Sequence, residues 1–335
     1  MSATAVVSPL VRSDPQKLSF IAPMPRLTAG GADWVADVQR LEVLGFDTVC
    51  ISEHLTNGWQ LSALAAMAYA AASTTRLRIL SLVLQNDLYH PALLAKHIAT
   101  LDVLSGGRVE IGIGAGWQAG DYRAVGIRFD PGRTRVARLA EAVDVIRAYF
   151  ACPTVNFAGD FYEVTEMEAL PRCVQQPGPP ILMGAGGPAM LDLAGRRADI
   201  VGIHAAIAHD SIEKSVPELT ADSIAAKIDR VRTAAAAAQR PAPRLQFMCY
   251  HVRLTDGPAA VGPPSSWAKD IEARHSDLAG SPAVLVGTAA ECADALLRWS
   301  ADFGITYWHL GQDVHASARI IEHVRSRERV NRGTA

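Results

Sequence analysis

The run RLRILSLVLQNDLYHPALLAKHIATLDVLSGGRVEIGIGAG, from Arg76 to Gly116, constrains this chain more than any other stretch. Leu77 to Leu84 is an almost unbroken apolar run, too short to span a membrane and suited to a strand buried on both faces. Pro91 then stands where a helix start tolerates its missing N–H. Leu93, Leu94, His97, Ile98, Leu101 and Leu104 recur at three- and four-residue spacing, which predicts a helix with His97 in its core stripe. Gly106-Gly107 stops that helix, and Val109 to Ile113 returns as a second buried strand. Two parallel strands joined by a helix make one βαβ unit.

The remaining pattern repeats that unit. Strands are expected at 18–23, 48–52, 181–183, 199–204, 245–254 and 306–310. Helices are expected near 32–44, 61–72, 134–150, 188–197, 222–239, 288–303 and 314–325, with a further one near 267–279. Thr288 and Glu291 stand at capping-box spacing. Eight strands, each followed by a helix, predict a (β/α)8 TIM barrel with insertions. A doubly wound open sheet is the alternative, but no G-x-G-x-x-G follows the first strand, and GIGAGW after the fourth does not match it. One barrel domain over 18–328 is expected, preceded by a loose tail over 1–17. An inserted hairpin is expected near 152–180, read from TVNFAGDFYEV, with variable loops near 205–220 and 255–280.

Composition narrows the function classes. A net charge of −2 gives no electrostatic case for nucleic acid or an anionic membrane surface. No apolar run reaches the roughly 18 residues of a membrane span. The five cysteines are scattered without a C-x-x-C pair, and no cluster of His, Asp, Glu or Cys has ligand spacing. A disulfide framework or a metal site is therefore not expected, and a cytoplasmic protein is.

In a barrel the chemistry belongs on the loops at the C-terminal ends of the strands. Glu53-His54 follow strand two, Ser81 to Asp87 end strand three, and Trp117, Gln118, Asp121 and Tyr122 follow strand four. Gly184-Ala185-Gly186-Gly187 follow strand five, His204 strand six, His251 strand seven, and Gln312-Asp313 strand eight. Glu53 and His54 suit acid–base work or a simple cap. The glycines open a helix and present free N–H groups, which suit a phosphate or a plain tight turn. Trp117 suits stacking on a flat ring or rim packing, and Trp59 suits a pocket wall or packing.

Several pieces in order carry a resemblance. They are ISEHL, SGGRVEIGIGAGW, FDPGRTRVARLAEAVDVIRAYF, GDFYEV, PPILMGAGGPAMLDLAGRRADIVGI and VLVGT. Together they resemble the luciferase-like monooxygenase superfamily, in its branch of coenzyme F420-dependent oxidoreductases. The resemblance implies a luciferase-like (β/α)8 barrel, usually a homodimer, that binds a flavin or deazaflavin over its mouth. It implies that Glu53 contacts the ring or its side chain, and that His54 is the active-site histidine. Ser81-Leu82 would match a non-prolyl cis peptide that bulges behind the ring, and Ala185, Gly186 and Gly187 would hold the cofactor phosphate. Trp117 stands where some relatives carry a glutamate proton donor, which leaves His54 as proton donor or acceptor. The expected activity is hydride transfer between reduced F420 and a small organic C=N, C=C or C=O substrate. The alternatives are an FMN-dependent monooxygenase using oxygen, and a flavin-binding barrel without turnover.

Overall fold

The computed structural model describes residues 17–27, 31–206, 213–257 and 277–333. In chain order its first half runs β1 (Ser19–Pro23), α1 (Gly31–Val43), β2 (Thr48–Ile51), α2 (Ala63–Ser73), β3 (Arg78–Ser81), β4 (Leu84–Gln85), α3 (Pro91–Ser105), β5 (Val109–Gly114), α4 (Ala119–Ala124) and α5 (Gly132–Ala151). An antiparallel hairpin of β6 (Thr154–Ala158) and β7 (Glu163–Glu168) follows. The chain continues through β8 (Ile181–Ala185), α6 (Pro188–Arg197), β9 (Ile200–Ile203), α7 (Ala221–Ala237), β10 (Arg244–Met248) and β11 (His251–Leu254). Its described end comprises β12 (Val284–Gly287), α8 (Ala289–Phe303), β13 (Ile305–His309) and α9 (Val314–Gly333).

Eight of these strands close into one parallel ring, in the order β1, β2, β3, β5, β8, β9, β10, β13 and back to β1. The TIM barrel expected from the βαβ rhythm is therefore the fold. Outward-facing residues such as Phe20, Ile79, Val109, Phe247 and Trp308 pack under the helices in one continuous core. Inside the ring, Ile21, Cys50, Leu80, Leu182, Ile200 and Tyr307 form a separate apolar plug, joined by Leu82 and Val83. The plug rests on a polar base. The Tyr307 hydroxyl donates to Glu110 Oε2 (2.8 Å) and bonds Thr48 Oγ1 (2.7 Å), while Arg78 pairs with Glu110 and the Arg244 guanidinium lies 4.3 Å above the Tyr307 ring. Each charged group there has an opposite charge or a hydrogen-bond partner, as burial requires.

Three local readings change. Periodicity marked 245–254 as one strand; the chain leaves the barrel after Met248, and His251–Leu254 pairs instead with Val284–Gly287 in a small parallel sheet. The run Leu77–Leu84 is broken at a cis peptide that lies between Leu82 and Val83, one bond beyond the expected Ser81-Leu82, and β4 pairs with the far end of β5. His97 is exposed on α3 and is not part of its core stripe. The tail, most of the expected helix near 267–279 and parts of both variable loops lie outside the described residues. The capping box at Thr288 is present, with Thr288 Oγ1 accepting from Glu291 N.

Helices α6 and α7 pack at close range, and Gly195 permits it. A methyl group there would lie 2.5 Å from the Val231 carbonyl oxygen and 2.8 Å from Ala234 Cβ. In an exposed helix Gly→Ala gains about 1 kcal/mol, but overpacking a tight contact costs roughly 1–3 kcal/mol. Gly195→Ala is therefore expected to lower the urea midpoint at unchanged m-value. A midpoint equal to or above wild type would show that the contact yields.

Candidate active site

The mouth begins where β3 breaks its pairing. Ser81 Oγ takes over the ladder, bonding both the N–H and the carbonyl of Gly112 at 2.9 Å. Leu82 donates its N–H to the Ile51 carbonyl (2.7 Å), and Ser52 Oγ donates to the Leu82 carbonyl (2.8 Å). The bulge fits because β5 offers no side chain there: a Cβ at Gly112 would lie 1.9 Å from the Ser81 oxygen, and one at Gly114 would lie 2.9 Å from Val83 Cγ2. The alternating glycines of VEIGIG thus form a channel for the bulge, and Leu82-Val83 stand at the mouth above the apolar plug.

Glu53 and His54 follow β2 directly, on the same rim. Glu53 is 7% exposed; its carboxylate accepts from Gln85 N (2.8 Å) and from the Tyr89 hydroxyl. Burial pushes its pKa up, the two hydrogen bonds oppose that, and the nearby Asp121 charge adds to it. His54 Nδ1 lies 2.7 Å from Asp121 Oδ2. An ionised carboxylate only accepts, so Nδ1 carries the hydrogen and Nε2 is left to exchange a proton.

Asp121 is fully buried and tied from three directions. Besides His54 it accepts from Leu55 N and Thr56 N (both 3.1 Å), Thr56 Oγ1 (2.7 Å) and Gln85 Nε2 (2.8 Å). Burial alone would raise its pKa, but the bonds from Thr56, His54, Gln85 and Leu55 outweigh that and hold it below the usual carboxylate value. Sequence spacing placed Asp121 on the rim after β5 without giving it a role. Its contact with His54 crosses 67 residues, and the unforeseen short helix α4 creates it.

Two indoles flank the histidine. Asn57 and Gly58, at φ of 58° and 76°, turn the loop after His54, and the Trp59 ring centroid lies 5.0 Å from the imidazole. Trp117 meets the same imidazole edge-on at 5.6 Å. Glu53, His54, Ser81, Leu82 and Trp117 thus stand at the ends of the neighbouring strands β2, β3 and β5.

Ala185, Gly186 and Gly187 end β8 and begin α6, also at the strands' C-terminal ends. A Cβ on Gly186 would lie 2.5 Å from the Ala205 oxygen, whereas one on Gly187 would meet open space. Pro188 opens α6 and no side chain caps it, so the N–H groups of its first turn are free to bind an anion. The open backbone at Gly187 and the uncapped start of α6 are of a kind that suits a phosphate group. Lys227 Nζ, bonded to the His204 carbonyl (2.9 Å), and Glu218, accepting from Ala206 N (2.8 Å), fix the backbone that faces Gly186.

The other rim candidates have structural partners. His204 Nδ1 meets the Tyr250 hydroxyl at 3.1 Å, His251 belongs to the outer sheet, and Asp313 caps α9 by accepting from His315 N and Ala316 N. Among the described residues no group of His, Cys, Asp and Glu could hold a metal ion. No helix of the described residues is long and apolar enough to cross a membrane.

A family model described as luciferase-like monooxygenase matches residues 18–261. The F420-dependent glucose-6-phosphate dehydrogenase of Amycolatopsis mediterranei is 35% identical over 176 residues, 51% of this chain and 52% of that protein. The chain thus spans about half the length of the curated relatives it matches. An F420-dependent secondary alcohol dehydrogenase, solved with an F420–acetone adduct, superimposes with a TM-score of 0.70 at 20% identity, covering 92% of this chain and 98% of that one. The monooxygenase RslO1 from Streptomyces bottropensis gives a TM-score of 0.67 at 25% identity, covering 93% and 100%.

Two histidines, His309 buried and His204 half-buried, are expected to make the fold sensitive to acid. His309, on β13 and 3% exposed, has no hydrogen-bond partner at Nδ1 among the described residues; burial lowers its pKa from 6.5 to about 4. His204 is lowered to about 4 by burial and by the Lys227 charge. The unfolded chain takes up these protons first, so the stability they support is complete above pH 6.5 and is lost as pH falls from 6.5 to 4. For His309 the loss reaches about 3 kcal/mol. The urea midpoint is expected to decline across that window and to decline less steeply in His309→Phe. Parallel declines in the two proteins would exclude His309 as a source.

Proposed function

The chain belongs to the luciferase-like monooxygenase family, and from that premise we propose that it is an F420-dependent oxidoreductase. The single observation that carries the proposal is the shared rim. The β8–α6 cradle for a phosphate, the Leu82-Val83 floor and the His54–Asp121 pair occupy the same end of one barrel. The named F420-dependent relative and the F420-dependent structural neighbour support the choice of cofactor.

F420, when bound, supplies a hydride donor or acceptor at its ring. The chain's own residues do the rest. Ala185, Gly186 and Gly187 would hold the phosphate, and Ser81 and Leu82 would support the ring through the bulge. Glu53, kept in place by Gln85 and Tyr89, would bind the ring or its side chain, and Trp117 would close its edge. His54, held by Asp121, would give or take the accompanying proton at Nε2, on a small unsaturated or alcohol substrate. A cytoplasmic homodimer completes the proposal, as the family resemblance implies. A second reading, an FMN-dependent monooxygenase on the same barrel, is favoured by the likeness to RslO1. In that reading oxygen is consumed.

The two cofactors separate on titration, followed by fluorescence quenching. F420 is expected to bind more tightly than FMN, and Gly186→Ala, whose new Cβ would press on Ala205, is expected to weaken F420 binding more than about tenfold. Preference for reduced FMN, with oxygen uptake, overturns the proposal. His54→Ala should keep F420 affinity while lowering kcat by about 10²–10⁴, the usual worth of a general acid or base. Unchanged turnover in that variant would revive the idea of a barrel that binds without catalysis.

A further inference from the structure

The rim around His54 brings two buried carboxylates together. Two carboxylates, Glu53 and Asp121, are buried within one hydrogen-bond network, bridged by Gln85: its N–H and Nε2 donate to Glu53 Oε2 and Asp121 Oδ2. Among the described residues no lysine or arginine pairs with either; their donors are Tyr89, Gln85, Leu55, Thr56, Gln118 and His54. Arg26, the cation that touches the 54–60 loop, binds the Gly58 carbonyl and neither carboxylate. Elsewhere Glu110 pairs with Arg78 and Asp87 with Arg138, whereas Asp102, also fully buried, is held by Val174 N, Gln175 N and Gln175 Nε2; the mouth differs in bringing two such carboxylates into one network.

Over this negative spot stand the two indoles. Trp59 is 48% exposed, with its ring 5.0 Å from the imidazole, and Leu55 beside it is 44% exposed. Two glutamine bonds, Leu27 N to Gln60 Oε1 (3.1 Å) and Gln60 Nε2 to the Leu27 carbonyl (3.4 Å), clasp the loop that carries Trp59 against the exit of β1. Indole faces attract cations, more strongly when water is excluded. A flat apolar wall, π faces and unneutralised carboxylates together recognise a planar organic cation, and they repel an anion at the reacting end.

We propose that the substrate is a planar C=N compound that reacts as its iminium cation. This rests on the oxidoreductase reading above and specifies its substrate. The step balances without an added acid. The iminium carbon would gain a hydride from a reduced deazaflavin, which is thereby oxidised and releases its ring N–H proton to water, and the π pair of the C=N bond becomes the nitrogen lone pair. The product is a neutral amine. Positive charge leaves the substrate as the reaction proceeds, so His54 would act on the proton that makes the imine cationic. A sugar phosphate, the substrate named for the Amycolatopsis relative, has neither the flat shape nor the charge this rim recognises.

The test is calorimetric titration of the full chain, with and without oxidised F420. The ligands are an N-methylated dihydroisoquinolinium salt, its uncharged isostere dihydronaphthalene, and glucose 6-phosphate. The cation is expected to bind at least about tenfold more tightly than the isostere, with no heat from the sugar phosphate. Trp59→Leu, on an exposed loop, removes the π face and keeps apolar area. Asp121→Asn removes charge and keeps the acceptors for Leu55 and Thr56. Each should cut the preference for the cation, read as the ratio of cation to isostere affinity within the same variant, by about threefold or more. Equal binding of cation and isostere, binding of glucose 6-phosphate, or variants that weaken both ligands alike would overturn the proposal. Failure of F420 itself to bind would instead overturn the cofactor reading, and the cofactor-free titrations would still decide the question of the cation.

Discussion

The mouth of this barrel depends on one buried carboxylate. Asp121 ties the loop after β2 through Leu55, Thr56 and His54, ties β4 through Gln85, and sits on α4 after β5. Three segments that are distant in sequence are held at one point by charge-assisted bonds, which are stronger and shorter than neutral ones. A carboxylate can be buried there because its acceptor sites are filled by donors. The same arrangement fixes the tautomer of His54, so structural cohesion and chemical readiness come from a single group.

The barrel keeps two polar layers apart. At its base, Arg78, Glu110, Thr48, Tyr307 and Arg244 form a compensated network that closes the ring. At its mouth Glu53 and Asp121 have, among the described residues, only neutral donors and a histidine. The apolar plug of Ile21, Cys50, Leu80 and Leu182 lies between them. The charge at the base is balanced by arginine and serves the fold; the charge at the mouth is the one the proposed cation would meet, in keeping with the division between stability face and active face of such barrels.

Glycine is used with the same economy. Gly112 and Gly114 admit the bulge at 82–83, and Gly116 (φ 73°) leaves room for the Tyr122 hydroxyl, which a Cβ would approach to 2.0 Å. Gly186 faces the Ala205 carbonyl, which Lys227 and Glu218 help to fix. Each of these glycines stands where backbone, hydroxyl or a branched side chain must come closer than a Cβ allows. None serves merely as a flexible joint.

Much of this was legible in the chain itself. Buried strands and amphipathic helices alternate with short connections; this rhythm calls for a parallel sheet covered by helices on both faces, and eight repeats without a dinucleotide fingerprint favour its closure into a barrel over an open sheet. Barrel geometry then sends Glu53, His54, Trp117 and Gly186 to one rim. Periodicity could not foresee the split of 245–254 or the exposure of His97, since a short apolar run is compatible with more than one sheet and a stripe does not say how wide its partner is. Nor could spacing join His54 to Asp121 or bring Trp59 back over the imidazole. Those contacts depend on where three loops meet. The sequence determined which residues reach the mouth; only the tertiary structure decided which of them touch, because side-chain contact across 67 residues is set by the packing of the loops and not by any local preference.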